Sequence, residues 1–587
     1  MRSWKNIVLI VLLLTLAFSA GVQAKDTFVK ASRNLVDTLD PQLMVASATM
    51  ELSFNVFNSL LIFDPEDRDT LHPSLSTQVP SYDNGLIVDT EDGGVRIEFP
   101  VRQGVLFHNG SELRPEDIEY TIKRALLIGG QPASIRLLSS TLLDKGSFQV
   151  LVDEIGYDEA FEVLDQAVTV EGNSVIFHLP KPFVPFLGIM ADGGASLAIL
   201  NKEWCSEVGA WPGTKETGQE FMGLTIEETA LHDKMMGTGP FKLASWEPGE
   251  RIVLERFDEY WEGPATMSRV IRRIVEDTST AIMLLQRGDV DWIDLDSPAD
   301  LPRVEGSPGV KTITDIPTAW LMKMNFVFDI TEEGNRNIGD GQIGPNGIPG
   351  DFFSDINVRK AFQYSFGYDV FINDVFLGSA LKPYGPVLIG FPTANPDNPQ
   401  YYYDPEKAEE HFKKAWNGEV WEKGFKMRIP YSAGSLQRQR ALEILKDNIE
   451  ALNPKFEIEL FSLPWASYLA EITAKKLPIS LLGMLPQVFD PYLPLFQHMH
   501  SSGSYARDCG YDDMAREKYD VLIDELGTNY DEERRMELSH QLQLYAYEDA
   551  HSIFHFQNVA NIAIRDWVQG YIPLPQPFNV DFYQIYH

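Results

Sequence analysis

The fold is decided by Lys455–Pro494, which reads KFEIELFSLPWASYLAEITAKKLPISLLGMLPQVFDPYLP. Apolar and acidic residues alternate from 456 to 460, which predicts a half-buried strand. From Trp465, apolar residues recur at i, i+3, i+4 and i+7, the spacing of one helix face. The apolar run 479–484 predicts a second strand. We therefore expect a strand–helix–strand unit whose two strands are parallel and are joined by a crossover helix.

The loop that follows this unit is the predicted ligand-binding loop. In open sheets with parallel strands, ligands lie outside the carboxyl ends of the strands. Here that end is the loop 485–491, which contains Gln487, Phe489 and Asp490. The alternative is a purely structural unit, because strand–helix alternation is common in large proteins of the α/β class.

Bulk composition indicates a large, acidic, globular protein. The 587 residues include 85 acidic and 49 basic side chains, giving a net charge of −36. Such a charge repels phosphate backbones and anionic membrane surfaces, so we expect no nucleic-acid partner. Predicted strands and helices alternate along the whole chain, which is typical of the α/β class. The length allows several domains.

Residues 1–24 have the features of a cleaved signal peptide. Arg2 and Lys5 supply positive charge, an apolar run extends from 7 to 20, and Val22–Ala24 resembles a cleavage site. A retained membrane anchor is the alternative. No cysteine follows the apolar run, so we expect an exported, soluble protein without a lipid anchor.

Cysteine, histidine and acidic residues give no sign of a metal site or of an enzyme. Cys205 and Cys509 lie far apart, which favours two separate buried thiols, although export permits a disulfide. His498 and His500 lack a third clustered ligand. Carboxylate pairs are too numerous to nominate one, and no nucleophile or phosphate-loop motif occurs. We expect no catalytic residues, no metal and no cofactor.

Five further segments, in this order, carry a family resemblance. They are VRIEFPVRQGVLFHNGSELRPEDIEYTIKR from 95, GTGPFKLASWEPGERIVLERFDEYWEG from 237, STAIMLLQRGDVDWI from 279, NVRKAFQYSFGYDVFINDVFLGSA from 357 and YYYDPEKAEEHFKKA from 401. Together they make the chain resemble the oligopeptide/dipeptide/nickel class of extracytoplasmic solute-binding proteins, family 5. Members of that class are receptors of ATP-driven (ABC) importers.

The resemblance implies a two-lobed, periplasmic-binding-protein-like α/β fold with an extra domain on the first lobe. It places the first lobe at 25–57, 237–318 and 559–587, the extra domain at 58–236, and the second lobe at 319–558. Closure of the lobes about a hinge is then the expected motion. The expected partners are a small solute and an inner-membrane permease, and we expect a periplasmic monomer.

The same resemblance predicts the ligand-binding residues. Peptide-binding members fix the peptide's two ends with charged side chains. The matching positions here carry Gln487, Ile472, Leu481 and Val45, and Met484 stands where relatives have a tryptophan. The predicted set is Trp465, Gln487, Phe489, Asp490, Trp320, Met484, Val45, Ser47 and Ile472.

Each predicted residue has a structural alternative. Trp465, Phe489 and Trp320 are predicted aromatic platforms, but large aromatic side chains are usually core residues. Asp490 could accept hydrogen bonds from ligand hydroxyls, or it could simply form a turn before proline. Ser47 lies where relatives contact ligand, or it begins a helix.

These substitutions predict an uncharged cleft. A buried peptide terminus without a counter-charge is strongly disfavoured, so such a cleft would suit a neutral ligand. The leading expectation, from family frequency, is an oligopeptide receptor. The alternatives are a receptor for a neutral oligosaccharide and, from another class, an exported hydrolase of peptides or glycans.

Overall fold

The computed structural model describes residues 26–64, 70–130, 132–191, 196–295, 297–486, 488–573 and 580–586. The predicted signal peptide and Gln487 lie outside these residues. None of the helices described combines the length and the apolar character needed to cross a membrane.

Among the described residues, the first 250 positions contribute strands to three sheets and also form a group of short helices. Their elements are β1 (Thr27–Ser32), α1 (Ser47–Val56), β2 (Leu61–Phe63), β3 (Leu71–Pro73), β4 (Ile87–Asp89), β5 (Val95–Pro100), α2 (Pro115–Ile128), α3 (Ala133–Leu142), α4 (Phe148–Ile155), α5 (Tyr157–Ala167), β6 (Val168–Glu171), β7 (Ser174–Leu179), α6 (Phe186–Met190), α7 (Lys202–Glu207), α8 (Lys215–Gly218), a 3-10 turn (Gln219–Phe221) and β8 (Phe241–Glu247). Strands β4, β5, β7 and β6 make a four-stranded antiparallel sheet within the predicted extra domain.

The middle of the chain spans the predicted end of the first lobe and the predicted start of the second. Its elements are β9 (Arg251–Arg256), β10 (Arg269–Ile274), α9 (Thr278–Arg287), β11 (Trp292–Leu295), a 3-10 turn (Pro298–Asp300), α10 (Leu301–Val304), β12 (Val310–Phe326), β13 (Gly339–Gly344), a 3-10 turn (Phe352–Ser354), α11 (Ile356–Ser365) and α12 (Tyr368–Phe376). Helix α9 follows its sequence signals, because Asp277 caps its start and Gly288 ends it in the left-handed conformation.

The rest of the chain covers most of the predicted second lobe. Its elements are α13 (Pro405–Lys414), a 3-10 turn (Ala415–Gly418), α14 (Glu419–Lys423), β14 (Phe425–Ser432), α15 (Leu436–Leu452), β15 (Phe456–Leu463), α16 (Trp465–Thr473), β16 (Ile479–Met484), α17 (Tyr492–Met499), α18 (Ser504–Cys509), α19 (Asp512–Lys518), α20 (Asp520–Thr528), α21 (Glu532–Asp549) and β17 (Ser552–Arg565).

One eight-stranded sheet runs through both lobes in the order β16-β12-β17-β11-β1-β10-β9-β8. Two long antiparallel strands, β12 with 17 residues and β17 with 14, connect its two halves. Their pairing register shifts between Ile313 and Ile316 and again between Pro317 and Leu321. Such shifts bend strands and increase their twist, so this pair of strands is the candidate hinge between the lobes. The predicted α/β class and two-lobed fold are confirmed.

The predicted strand–helix–strand unit exists, but its predicted strand pairing is wrong. β15 pairs in parallel with β14, and the crossover helix between those two strands is α15. β16 instead pairs antiparallel with β12 from Leu321 to Phe326. The apolar half of β12 buries its side chains on both faces, so it needs a second apolar strand beside it, which β16 supplies.

The sequence pattern predicts one helix over 358–376, an irregular surface stretch over the Gly-, Asn- and Asp-rich 329–351, and two helices over 512–547, and the structure corrects all three. The segment 358–376 forms two helices rather than one, because the chain is extended at Phe366 before α12 begins. The stretch 329–351 is not wholly irregular, since it contains β13. Three helices, not two, occupy 512–547.

Both cysteines are buried and unpaired, as predicted. Cys205 is in α7 and Cys509 is in α18, so they lie in different parts of the molecule. Burial raises the pKa of each thiol to about 12. Both thiols are therefore protonated and inert at neutral pH.

The predicted extra domain also contacts the second lobe directly, in an interface that we call the latch. The ring of Phe183 lies 5.2 Å from that of Tyr492, and Tyr82 lies 5.0 Å from Tyr530, both edge to face. The remaining latch contacts are Phe63 with Phe489, Gly188 with Val488, and a hydrogen bond from the Val184 N–H to the Gly527 carbonyl. The two lobes are thus joined by the long strands and, through the extra domain, by the latch.

Candidate ligand-binding cleft

A cleft of about 860 Å³ lies between the two lobes. Its first-lobe wall comes from β1, α1, β10 and β11, and its second-lobe wall comes from the end of α12, the segment 432–438 and Trp465. Thr318 and residues 558–562 of the long strands also line it. The volume lies within the range of about 300–1,000 Å³ that small-molecule sites usually have. A solute held there would touch both lobes and the connecting strands.

The first-lobe wall carries a compensated network of four charges. Lys30 Nζ lies 2.5 Å from a Glu51 carboxylate oxygen and 3.6 Å from one of Asp294. Arg272 Nε lies 3.5 Å from Glu51 Oε1, and Arg272 Nη2 donates to Ser32 Oγ at 2.8 Å. Lys30, Glu51 and Arg272 are all nearly inaccessible to solvent. Two cations and two carboxylates therefore neutralise each other on this side.

The second-lobe wall carries one cation, Arg438, in the first turn of α15. Its Nη1 donates to Ser432 Oγ at 2.6 Å, and its guanidinium lies 5.1 Å from the ring centroid of Trp465. Burial lowers the pKa of Arg438 from its ordinary value. An arginine nevertheless stays protonated at neutral pH. Among the described residues, no carboxylate forms an ion pair with Arg438.

The prediction that the cleft is uncharged is wrong. Of the residues lining it, Lys30, Arg272 and Arg438 are basic, and Glu51 and Asp294 are acidic. These charges come from segments that the alignment of the ligand-binding loop did not include. The sequence did hold one signal: Arg438 and Arg440 open a helix, at the end where the helix dipole disfavours cations.

Two predicted residues line the cleft. Trp465, the first residue of α16, is 47% exposed and forms part of the second-lobe wall. Ser47, the first residue of α1, lies on the opposite wall. The structure therefore brings these two together across the cleft.

Phe489 and Asp490 lie elsewhere, at the latch. Phe489 is only 4% exposed and stacks on Phe391, with ring centroids 4.2 Å apart. Asp490 forms an ion pair with Arg535 at 2.6 Å and accepts a hydrogen bond from the N–H of Tyr492. Their side chains fix the loop against the protein, so neither lines the cleft, contrary to prediction.

Four more predicted residues do not line the cleft either. Met484 and Ile472 are buried, and Ile472 packs in a small core with Tyr468. Trp320 is half-buried and covers Gly483 on the neighbouring strand. Val45 is exposed, and its N–H donates to Asp37. Core packing and local turn structure account for their positions, and Gln487 lies outside the described residues.

The described side chains do not form a metal centre. Within the described ranges, no three histidine, cysteine, aspartate or glutamate side chains are grouped so that they could hold an ion. His498 instead hydrogen-bonds His551 at 3.0 Å between ring nitrogens, and both rings are fully buried. His500 is directed away from this pair, towards Asp524, at 3.3 Å.

The sequence matches the family model for bacterial extracellular solute-binding proteins, family 5 (middle), over residues 70–506. The chain belongs to this family. The resemblance inferred from the five sequence segments is thereby confirmed.

Characterised relatives match the family 5 chain over nearly its whole length. The dipeptide-binding protein of Escherichia coli is 24% identical over 580 residues, covering 96% of this chain and 95% of that protein. Heme-binding protein A of Haemophilus influenzae is 23% identical, and the match covers 96% of this chain and 93% of that protein. HbpA2 from Haemophilus parasuis has the same fold, with a TM-score of 0.69, 19% identity and coverage of 95% and 99%. DppA from Helicobacter pylori, solved with the peptide STSA, also has this fold, with a TM-score of 0.64 and 18% identity. The match covers 96% of this chain and 98% of that chain.

Proposed function

We propose that this family 5 protein is the periplasmic receptor of an ABC importer and that it captures an oligopeptide-class solute. The observation that carries the proposal is the cleft of about 860 Å³, whose walls come from both lobes. A ligand that contacts both walls favours the closed state over the open one, because the open state lacks one set of contacts. The permease would then recognise the closed form.

The oligopeptide class is supported by relatives and by the charges in the cleft. The relatives include a dipeptide-binding protein from Escherichia coli and di/tripeptide-binding protein 2 from Pseudomonas aeruginosa. The cleft is lined by charged side chains, and its second-lobe wall carries a cation without an acidic partner, which suits a solute that bears a carboxylate, as a peptide does. The alternative of a neutral oligosaccharide rested on an uncharged cleft, and it is no longer favoured because charged side chains line the cleft.

Export and the limits of the lobes are part of the same proposal. Residues 1–24 would be removed as a signal peptide, which leaves a periplasmic monomer. The proposed first lobe comprises 25–57, 237–318 and 559–587, with the extra domain at 58–236 and the second lobe at 319–558. The limits at 318 and 558 fall within β12 and β17, beside the register shifts that would serve as the hinge.

Native mass spectrometry of protein purified from its own host tests the proposal. We expect one peptide per chain, released on denaturation. Incubation of the pure protein with mixed peptides and glycans should give stoichiometric binding and no products. Turnover would support the hydrolase instead, and exclusive capture of a glycan would contradict the peptide class.

A further inference from the structure

We propose that Asp315 is a positioning residue for solute capture, which closes a hydrogen-bonded lock between the two lobes without touching the solute. The lock, as we call it, consists of Asp315, Ser379 and Asn561. This inference rests on the proposed receptor function and deepens it. It places control of lobe closure at one side chain of the candidate hinge.

The lock begins at the first register shift between the two long strands. Ile313 pairs with Ile562, and the next pair is formed by Ile316. The partner of Ile316 is Ala560, so β12 advances three positions where β17 advances two, which makes a β-bulge in β12. Asp315 lies in this bulge and has a left-handed φ of 57°. A left-handed backbone is strained for a residue other than glycine, so contacts around it must hold it in place.

Two buried side chains hold Asp315 in that conformation. The N–H of Asp315 donates to Asn561 Oδ1 at 3.1 Å, and Asp315 Oδ1 accepts from Ser379 Oγ at 3.2 Å. Asn561 Nδ2 in turn donates to Ser379 Oγ at 2.9 Å. The three residues thus form a closed ring of hydrogen bonds, in which each contacts the other two.

The lock crosses the boundary between the proposed lobes. Asp315 and Asn561 lie within the proposed first lobe, whereas Ser379 lies in the second, just after α12. Ser379 is fixed to the second lobe because Leu381, two residues further on, exchanges two backbone hydrogen bonds with Gln557, at 2.8 and 3.0 Å. Opening of the lobes about the bulge would move Ser379 away from its two partners. The lock therefore stabilises the arrangement of lobes in which it is formed.

The lock also connects the candidate hinge to the cleft. Ser379 and Asn561 line the cleft, but Asp315 does not. A solute can therefore contact two members of the lock, whereas any effect of Asp315 on capture must pass through those two partners. That separation distinguishes a positioning residue from a residue that binds the solute, and it makes Asp315 the residue to change.

The test measures the apparent affinity of Asp315 variants for a random tripeptide library, by native mass spectrometry in competition with wild type. Asp315→Gly removes the carboxylate and suits a left-handed backbone, so it breaks the lock without adding strain. We expect its affinity to be about twofold to tenfold weaker, the effect of one ordinary hydrogen bond, because a smaller fraction of the protein is closed. Asp315→Asn keeps an acceptor oxygen and tolerates the same backbone conformation, so it should restore capture.

Thr314→Ala is the matched control. Thr314 is the exposed neighbour of Asp315 in the same bulge, and it does not line the cleft. This variant should capture as much peptide as wild type. Ser379→Ala breaks the lock from the second lobe, and its effect should be less than additive with that of Asp315→Gly, because both remove the same contacts. Thermal melting shows whether each variant is folded.

The outcomes separate the lock from the function on which it rests. Equal capture by wild type and Asp315→Gly overturns the lock and leaves the peptide receptor standing. Equal losses in Asp315→Gly and Asp315→Asn overturn it too, since the negative charge and not the hydrogen bond would then be responsible. If wild type captures no peptide, the peptide class is overturned, and small-angle scattering of the solute-free proteins decides the lock. A larger radius of gyration for Asp315→Gly than for wild type and Thr314→Ala supports it, and equal values overturn it.

Discussion

At the scale of single residues, Lys323 is the most unusual side chain of the second lobe. It is fully buried, its Nζ contacts His498 and lies 3.2 Å from the ring centroid of Tyr505. None of the ion pairs recorded for the described residues includes it. Burial therefore lowers the pKa of Lys323 well below its ordinary value. Burial thus disfavours the ammonium form of Lys323 in the folded protein relative to the unfolded chain.

Lys323→Met should change how stability depends on pH. Because the pKa of Lys323 is lowered on folding, the unfolded state binds the extra proton below about pH 10.5, and wild-type stability rises with pH. Relative to Lys323→Met, the wild-type free energy of unfolding should increase as the pH rises towards about 10.5, by at most about 1.4 kcal/mol per pH unit. Urea titrations at several pH values measure it. Parallel curves for the two proteins would contradict a lowered pKa of Lys323.

The buried histidines predict acid sensitivity. Burial lowers the pKa of His551 and of His555 to about 3. Below about pH 6.5 these histidines become protonated in the unfolded chain but stay neutral in the folded protein, so the free energy of unfolding falls as the pH falls. His555 packs against Phe366, Phe371 and Phe556, so leucine should fit in its place. His555→Leu should reduce the slope of the free energy of unfolding against pH by about 1.4 kcal/mol per pH unit between roughly pH 6 and 4. Equal slopes for wild type and His555→Leu would contradict a lowered pKa of His555.

At the scale of elements, the pairing of β12 with β16 depends on a glycine. A Cβ on Gly483 would lie 2.7 Å from Trp320 Cζ2 and 2.8 Å from Met322 Sδ. The indole of Trp320 therefore lies directly over this glycine. Trp320 was predicted to bind ligand, but its ring instead packs across the neighbouring strands β12 and β16.

Gly483→Ala should displace the Trp320 ring and lower the free energy of unfolding by about 1–3 kcal/mol, the usual effect of overpacking. Gly344→Ala, in β13, is the matched control because nothing lies within 4 Å of its Cβ position. Denaturant melts and tryptophan fluorescence measure both effects. Equal stability of the two variants would show that the ring moves aside without strain.

What the sequence could predict at this scale was local. The strand 456–463, the helix from Trp465 and the strand 479–484 follow from alternation, helical spacing and proline positions. The partner of β16 could not be predicted, because β12 lies more than 150 residues away in the chain and many apolar strands compete for that place. Arg438 was missed because the alignment followed the loop after β16, whereas the unpaired cation lies at the start of α15.

At the scale of the whole molecule, the latch affects the equilibrium between open and closed lobes. Aromatic pairs such as Phe183 with Tyr492 and Tyr82 with Tyr530 join the extra domain to the second lobe. Each such pair contributes about 0.5–1.5 kcal/mol beyond its buried area, or roughly two- to tenfold in an equilibrium constant. The latch therefore stabilises the arrangement of lobes in which these pairs are in contact, and moving the lobes apart would break them.

Phe183→Ser and Tyr82→Ser together should shift the protein towards the open form. We expect a larger radius of gyration in small-angle scattering and a weaker apparent affinity for solute, because a smaller fraction of the protein is closed. Tyr402→Ser removes an exposed aromatic outside the latch and is the control. Unchanged scattering and affinity in the double variant would show that the latch does not control closure.

The burial of both thiols makes the molecule suitable for optical measurement. The chain has only two cysteines, and maleimide reagents need a reachable thiolate, which Cys205 and Cys509 do not offer. Cysteines introduced at exposed Leu35 and Leu377, one on each lobe, could carry a donor and an acceptor dye without removal of the native thiols. Energy transfer between the dyes would then report each opening and closing of a single receptor.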